Sequence, residues 1–280
     1  MRRNPALESH HFEALGTSCS VFGFGMSPER LIEGEAWVRR LGAQLTRFSP
    51  SSELSKINAA GGRWVAVSAE TEEVLRLSLR AFEMSGGLVN VAVLPSMLAI
   101  GYTRTLSDGP FRAIIGRARP LPALPSVLSV RRGGVRLEPG CGIDLGGIAK
   151  GWMADRLRER LGVNALANLG GDLSAGGPGP SGDGWPVGMA GTTVMLRDQG
   201  AATSSVRRRR WAALHHLINP RTGLPAATGL EEVSVVAHTG FDAEVIAKTA
   251  LLVGPDVAHA FCATHALAWW LSSTRDSAAA

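Results

Sequence analysis

Apolar residues at helical spacing alternate along the chain with short runs of strand-like alternation. Val38, Leu41 and Leu45 mark one face of a helix that opens at Ser27-Pro28, with proline in its first turn, and stops near Phe48-Ser49-Pro50. Ser68 is placed as the N-cap of a second helix. Glu70, Glu72 and Glu73 fill its first turn, where the helix dipole favours acids; Val74, Leu75, Ser78, Leu79 and Phe82 form its face, and Gly86-Gly87 ends it. Met153, Leu157 and Leu161 fall four apart and predict a third helix directly after Gly146-Gly147. A late helix spans Asp242 to Val253, with Ile246, Ala250 and Val253 on one side and Glu244 and Lys248, four apart, on another. The simple account of that pair is a surface ion pair. A further helix starts at Pro255.

Strand signals sit between these helices. Residues 12–24 alternate around Cys19 and Val21, and Trp64-Val65-Ala66-Val67 is a short strand. Val127 to Arg131 and Val135 to Leu137 flank Arg132-Gly133-Gly134, a hairpin signal. Ala165 to Leu169 runs into Gly170-Gly171-Asp172, and Ala266 to Leu271 closes the pattern. Residues 109–126 and the Gly/Pro-rich stretch 174–185 read as loops. Strands in hairpin-like runs without regular helix alternation predict an α+β fold, antiparallel sheets with packed helices. The expected organisation is a disordered tail over 1–11, a single domain over 12–271 and a second tail over 272–280.

Composition narrows the class. The 280 residues are 45% hydrophobic, enough for a sizeable core. Cys19, Cys141 and Cys262 are scattered and odd in number, which predicts core thiols and no zinc site. No apolar run approaches the roughly 18 residues of a membrane span, and the charged N-terminus has no apolar signal region, so a cytoplasmic protein is expected. The net charge of +5 is concentrated in Arg207-Arg208-Arg209-Arg210, followed by Trp211. One such cluster without a nucleic-acid motif reads as a solvated hairpin or loop, or as arginines near a pyrophosphate or an acidic acceptor segment, and no nucleic-acid partner is expected.

Candidate chemistry gathers at Gly140 to Asp155, where a buried-looking aspartate and a Gly-Gly turn feed a helix N-terminus. Such a start presents free N–H groups and the positive end of the dipole, a place for a phosphate; a tight turn packed on core accounts for it equally. Its spacing is neither a Walker loop nor a dinucleotide fingerprint. Phe48 offers a stacking face or a core plug, and Glu53 and Asn58 read as loop-ordering groups. His215 and His216 are adjacent, so in an extended segment only one enters a given site.

Asp144-Leu145-Gly146-Gly147-Ile148-Ala149-Lys150-Gly151 resembles the signature of the ApbE family, the FAD:protein FMN transferases. Leu15-Gly16-Thr17, Phe48-Ser49-Pro50-Ser51-Ser52-Glu53 with Asn58, Asn168-Leu169-Gly170-Gly171-Asp172 and His215-His216-Leu217-Ile218-Asn219-Pro220-Arg221-Thr222-Gly223 agree in order and spacing, so the resemblance covers about residues 12–255. It implies an ApbE-like transferase fold and FAD as substrate. The flavin would lie by Leu15, Phe48, Leu88, Val89 and Asn90, and the pyrophosphate by Asp144, Gly147 and Lys150, with Thr203 and Ser204 also in the site. His216 matches the family histidine and is the expected base, with Asp144 as the lesser choice; Lys150 would neutralise charge.

Five residues depart from the family pattern. Phe48 stands where the family usually has Tyr, Asn90 and Asn219 replace aspartates, and Glu244 and Lys248 replace the usual Asp and Thr that bind Mg²⁺. The implied metal ligands reduce to Ala149 and Glu244, because an ammonium has no free lone pair; the Lys248 ammonium is the alternative as a fixed cation. The implied reaction is FMN transfer from FAD to a Ser or Thr hydroxyl of an acceptor protein, releasing AMP. A flavin-binding protein without transfer, and an FAD pyrophosphatase giving FMN and AMP, use the same residues.

Overall fold

The computed structural model describes residues 6–105, 108, 119–212 and 214–273. With strands numbered in chain order, its frame is a seven-stranded, fully antiparallel sheet. The order across it is β1 (Leu7–Ala14), β2 (Thr17–Phe24), β6 (Ala165–Leu169), β7 (Asp172–Gly176), β10 (Gln199–Ser205), β15 (Leu230–Ala237) and β16 (Ala268–Ser273). A smaller sheet joins β3 (Val65–Ala66), β5 (Gly134–Leu137) and β4 (Leu128–Arg131). Three ribbons complete the strands: β8 (Trp185–Met189) with β9 (Thr192–Leu196), β11 (Arg210–Trp211) with β12 (Leu214–His215), and β13 (Ile218–Asn219) with β14 (Leu224–Pro225). The helices are α1 (Pro28–Leu45), α2 (Glu53–Asn58), α3 (Ala69–Met84), α4 (Leu94–Ala99), α5 (Leu124–Val127), α6 (Ala149–Leu161), α7 (Gly240–Val253) and α8 (Pro255–His265). No helix among the described residues is long and apolar enough to cross a membrane.

The period of two along a strand divides the core. On β6, Ala165, Ala167 and Leu169 face the helices, while Leu166 joins Trp185, Val187 and Leu196 of the β8–β9 ribbon on the opposite face. Met153, Leu157 and Leu161 of α6 are fully buried together with Leu31, Val38 and Leu41 of α1, as the helical spacing predicts. Each such side chain contributes roughly 1.5–3 kcal/mol.

Several expectations are corrected. Residues 12–24 are not one strand: Leu15 and Gly16 both adopt positive φ (56° and 68°) and form a two-residue turn between β1 and β2. β1 begins at Leu7, pairing His10 with Val21, so residues 7–11 are strand and not tail; β16 likewise takes in Ser272 and Ser273. The segment expected to loop over 174–185 starts as the end of β7. The loop expected over 109–126 lies outside the described residues as far as 118, and its last part enters α5. The side of α7 that carries Glu244 is not a solvated face, since α7 is buried nearly all round and Glu244 is 4% exposed.

Helices α6 and α7 cross where side chains are absent. A Cβ on Gly151 would lie 2.4 Å from the Gly240 carbonyl oxygen, so the two backbones touch. The contact is fixed by exchanged caps. Asp155 of α6 accepts the Gly240 and Phe241 amides of α7 at 2.8 and 2.9 Å, while Glu244 of α7 accepts the Gly151 amide of α6 at 2.8 Å. Each carboxylate satisfies donors that a helix start leaves unpaired.

Candidate functional site

The turn before α6 is held from three sides. Asn58 brackets Ile143, donating to its carbonyl at 2.9 Å and accepting its amide at 2.8 Å, which is the loop-ordering role its sequence position predicts. The Asp144 amide donates to the Val91 carbonyl, and Asp144 Oδ1 accepts the Gly146 amide at 2.8 Å. Asp144 Oδ2 accepts Arg47 Nε at 2.7 Å, and Arg47 also donates to the Tyr102 carbonyl. This is a buried ion pair, 5% and 13% exposed. The Arg47 guanidinium lies over both Phe48 and Tyr102, at 4.1 and 4.7 Å from their ring centroids.

This turn borders a cavity of about 740 Å³, well within the range of small-molecule sites. Its lining includes the apolar side chains of Leu15, Leu45, Leu54, Val89 and Met97 and the rings of Phe48 and Tyr102. It also carries Lys150, Lys248 and Arg209, whose charges act on one another and on His216. Such a cavity suits a ligand with an apolar ring system and a strongly anionic part.

These cations come from separate elements. Lys150, on the first turn of α6, contacts the Asp172 carboxylate of β7, which is 4% exposed. Burial pushes the Lys150 ammonium down to about 8; Arg209 and Lys248 act the same way and Glu244 opposes them. Lys248 donates to the Gly147 carbonyl and lies 3.7 Å from Glu244 Oε1. Burial lowers its proton affinity too, while Glu244 and Asp144 favour the charged form. Arg209 immediately precedes the β11–β12 ribbon, which is anchored where Trp211 Nε1 donates to the Ile100 carbonyl and its ring packs on Tyr102. Arg209 itself has φ of 50°, and its guanidinium reaches the neighbourhood of Gly146.

The two histidines separate as adjacent residues in an extended segment must. His215 is engaged at both ring nitrogens, with Nε2 against the Ala226 carbonyl at 3.0 Å and Nδ1 accepting the Leu217 amide. His216 lines the cavity, and its Nδ1 is buried without a hydrogen-bond partner among the described residues. Burial first, then Arg209 and Lys248, hold the His216 imidazole well below its ordinary range, so it is neutral at physiological pH.

Of the residues expected from the sequence, Leu15, Phe48, Leu88, Val89, Asn90, Asp144, Gly147, Ala149, Lys150 and His216 all border this one cavity. Thr203 and Ser204 do not. They lie on β10, where Thr203 Oγ1 pairs with Ser234 Oγ at 2.9 Å across the β10–β15 ladder and Ser204 is buried. Asn90 borders the cavity with its amide already used, donating to the Pro122 carbonyl and accepting the Ala92 amide. Asp144 is similarly committed to Arg47 and Gly146, which fits it to hold the turn and unfits it as a base.

The side chains at the expected metal position do not fit a divalent ion. Among the described residues no group of three or more His, Cys, Asp or Glu side chains is arranged to hold an ion. Glu244 Oε2 caps α6, its Oε1 faces the Lys248 ammonium, and that ammonium takes the nearby Gly147 carbonyl. A divalent ion beside this ammonium meets a repulsion of several kcal/mol, since like unit charges about 4 Å apart cost about 4 kcal/mol at an effective dielectric of about 20.

Arg47, Tyr102 and Arg209 complete the site without having been singled out individually. Arg209 belongs to the conspicuous basic run; Arg47 meets Asp144 across 97 positions, a pairing that no local pattern signals.

The chain is similar to known proteins along most of its length. The model of the ApbE family matches residues 15–270. A FAD:protein FMN transferase of Treponema pallidum is 30% identical over 285 aligned positions, covering 86% of this chain and 77% of that protein. One of Klebsiella pneumoniae is 30% identical, covering 78% and 72%. The crystal structure of an ApbE protein from Thermotoga maritima superposes with a TM-score of 0.83 at 22% identity, covering 98% of this chain and 99% of the other. That of the flavinyl transferase ApbE of Pseudomonas stutzeri gives 0.78 at 20% identity, covering 99% and 98%. At these identities the structures establish the fold, antiparallel sheets with packed helices, and the sequence match establishes the kinship: the chain belongs to the ApbE family.

Proposed function

We propose that this chain transfers FMN from FAD to a Ser or Thr hydroxyl of an acceptor protein and releases AMP. The observation that carries the reading is the lining of the cavity, which joins apolar side chains such as Leu15 and Val89 with the cations Lys150, Lys248 and Arg209 and a neutral histidine. Relatives at 30% identity bear the name of this activity.

In this reading the isoalloxazine lies against Phe48, a residue 38% exposed, beside Leu15 and Val89. The pyrophosphate lies at the Gly146-Gly147 turn among the three cations. The acceptor hydroxyl oxygen attacks the FMN-side phosphorus, the bond from that phosphorus to the oxygen bridging to AMP breaks, and AMP departs with the electron pair. The hydroxyl proton passes to His216. Transfer of this kind depends chiefly on positioning and charge neutralisation, which fixed cations supply.

The low proton affinity of His216 in the free protein is consistent with this role. Its lowering comes from burial and from surrounding positive charge. A pyrophosphate placed among the same cations offsets that second contribution and raises the basicity of His216, while the larger lowering by burial stays.

The test is His216→Ala. Transfer should fall by at least about a hundredfold, read as FMN mass gained by the acceptor, while FAD binding persists. Unchanged transfer in this variant removes His216 from the mechanism.

A further inference from the structure

The Lys248 side chain leaves α7 one turn after Glu244 and ends between the two acceptors that a cation at this end of the cavity would use. Its ammonium donates to the Gly147 carbonyl and lies 3.7 Å from Glu244 Oε1. Residue 147 is matched to it, because a Cβ there would lie 2.5 Å from Nζ. Glu244 Oε2 is committed to the Gly151 amide, so the carboxylate cannot turn both oxygens toward a metal without uncapping α6. Lys248 nonetheless borders the cavity, where its ammonium has donor capacity left for a ligand.

We propose that the Lys248 ammonium is the built-in cation of this site, standing where a divalent ion would neutralise the pyrophosphate, and that flavin transfer by this chain needs no divalent metal. The proposal rests on the transferase reading and concerns only how its charge is neutralised. A covalently held cation is in place before the substrate arrives and does not depend on the metal concentration. It carries one positive charge where a divalent ion carries two, and Arg209 and Lys150, which line the same cavity and feel its charge, supply the remainder.

The test compares the unmodified protein with Lys248→Thr. Each is loaded with FAD and titrated with Mn²⁺, bound metal being read by electron paramagnetic resonance, a signal independent of turnover. In parallel, FMN transfer to a Thr-containing acceptor is followed in Mg²⁺ and in EDTA. The unmodified protein should bind no stoichiometric Mn²⁺ and transfer equally in both conditions. Lys248→Thr should acquire Mn²⁺ binding with FAD present, and in EDTA its transfer should fall by about a hundredfold or more. Stoichiometric Mn²⁺ in the FAD complex of the unmodified protein, or transfer lost in EDTA and restored by Mg²⁺, overturns the proposal. Absence of transfer in every condition counts against the transferase reading instead. The Mn²⁺ titration of the unmodified protein still decides the cation, even where Lys248→Thr fails to fold.

Discussion

Arg47 and Asp144 carry more of the site's geometry than their separate sequence positions indicate. Their buried contact at 2.7 Å fixes the turn that opens α6, and the same guanidinium supports Phe48 and Tyr102. Arg47→Ala leaves the Asp144 carboxylate buried without its partner, so the protein should lose about 3–5 kcal/mol in denaturant unfolding. A loss under 1 kcal/mol would show that water reaches the pair. Lys150 sets the pH response. Its ammonium is pushed down to about 8 in the folded protein, so the charge is present at neutral pH and disappears above that value. His216 is held well below its ordinary range and gives no compensating change between neutrality and pH 8. The kcat/KM for FAD should therefore be level near neutrality and decline as pH rises past about 8; a rise through that interval would contradict a role for the Lys150 charge.

At the scale of elements, the site depends on how α6 and α7 meet. Asp155 accepts two amides from the first turn of α7, and burial raises the pKa of its carboxyl against the lowering effect of those amides. Asp155→Ala should cost about 1–3 kcal/mol in thermal or denaturant unfolding and weaken FAD binding, since α7 carries Lys248. Unchanged stability would mean that neighbouring groups recap the helix. Helices α1, α3 and α6 were legible because each buries one regular apolar stripe. The β1–β2 turn was not, because Leu15 occupies the left-handed region, where a leucine is unexpected. That conformation directs attention to the site: Leu15 borders the cavity, and strained backbone is commonly retained where function needs it. The Glu244–Lys248 spacing correctly placed two residues on one helix face, but the burial of that face comes from the surrounding elements.

At the scale of the molecule, the seven-stranded sheet brings distant segments to one cavity. β2 and β6 are neighbours although some 140 positions separate them, and the intervening chain returns as α1 to α6. This explains what the sequence could and could not reveal. Motif order identified the residues around Asp144 and His216 as one site, because their chemistry is local to short blocks. The partners Arg47 for Asp144 and Asp172 for Lys150, and the displacement of Thr203 and Ser204 into a strand ladder, depend on long-range closure. The same closure brings apolar side chains and cations from distant segments to the lining of one cavity.

The most direct measurement is to incubate the protein, and separately its His216→Ala variant, with FAD and an acceptor bearing a Thr site, following the acceptor by intact mass and AMP in solution. The account predicts an FMN mass increment on the acceptor, with an equal amount of AMP, for the unmodified protein and neither product for the variant. Free FMN and AMP formed with the acceptor unchanged would contradict it and identify water as the nucleophile.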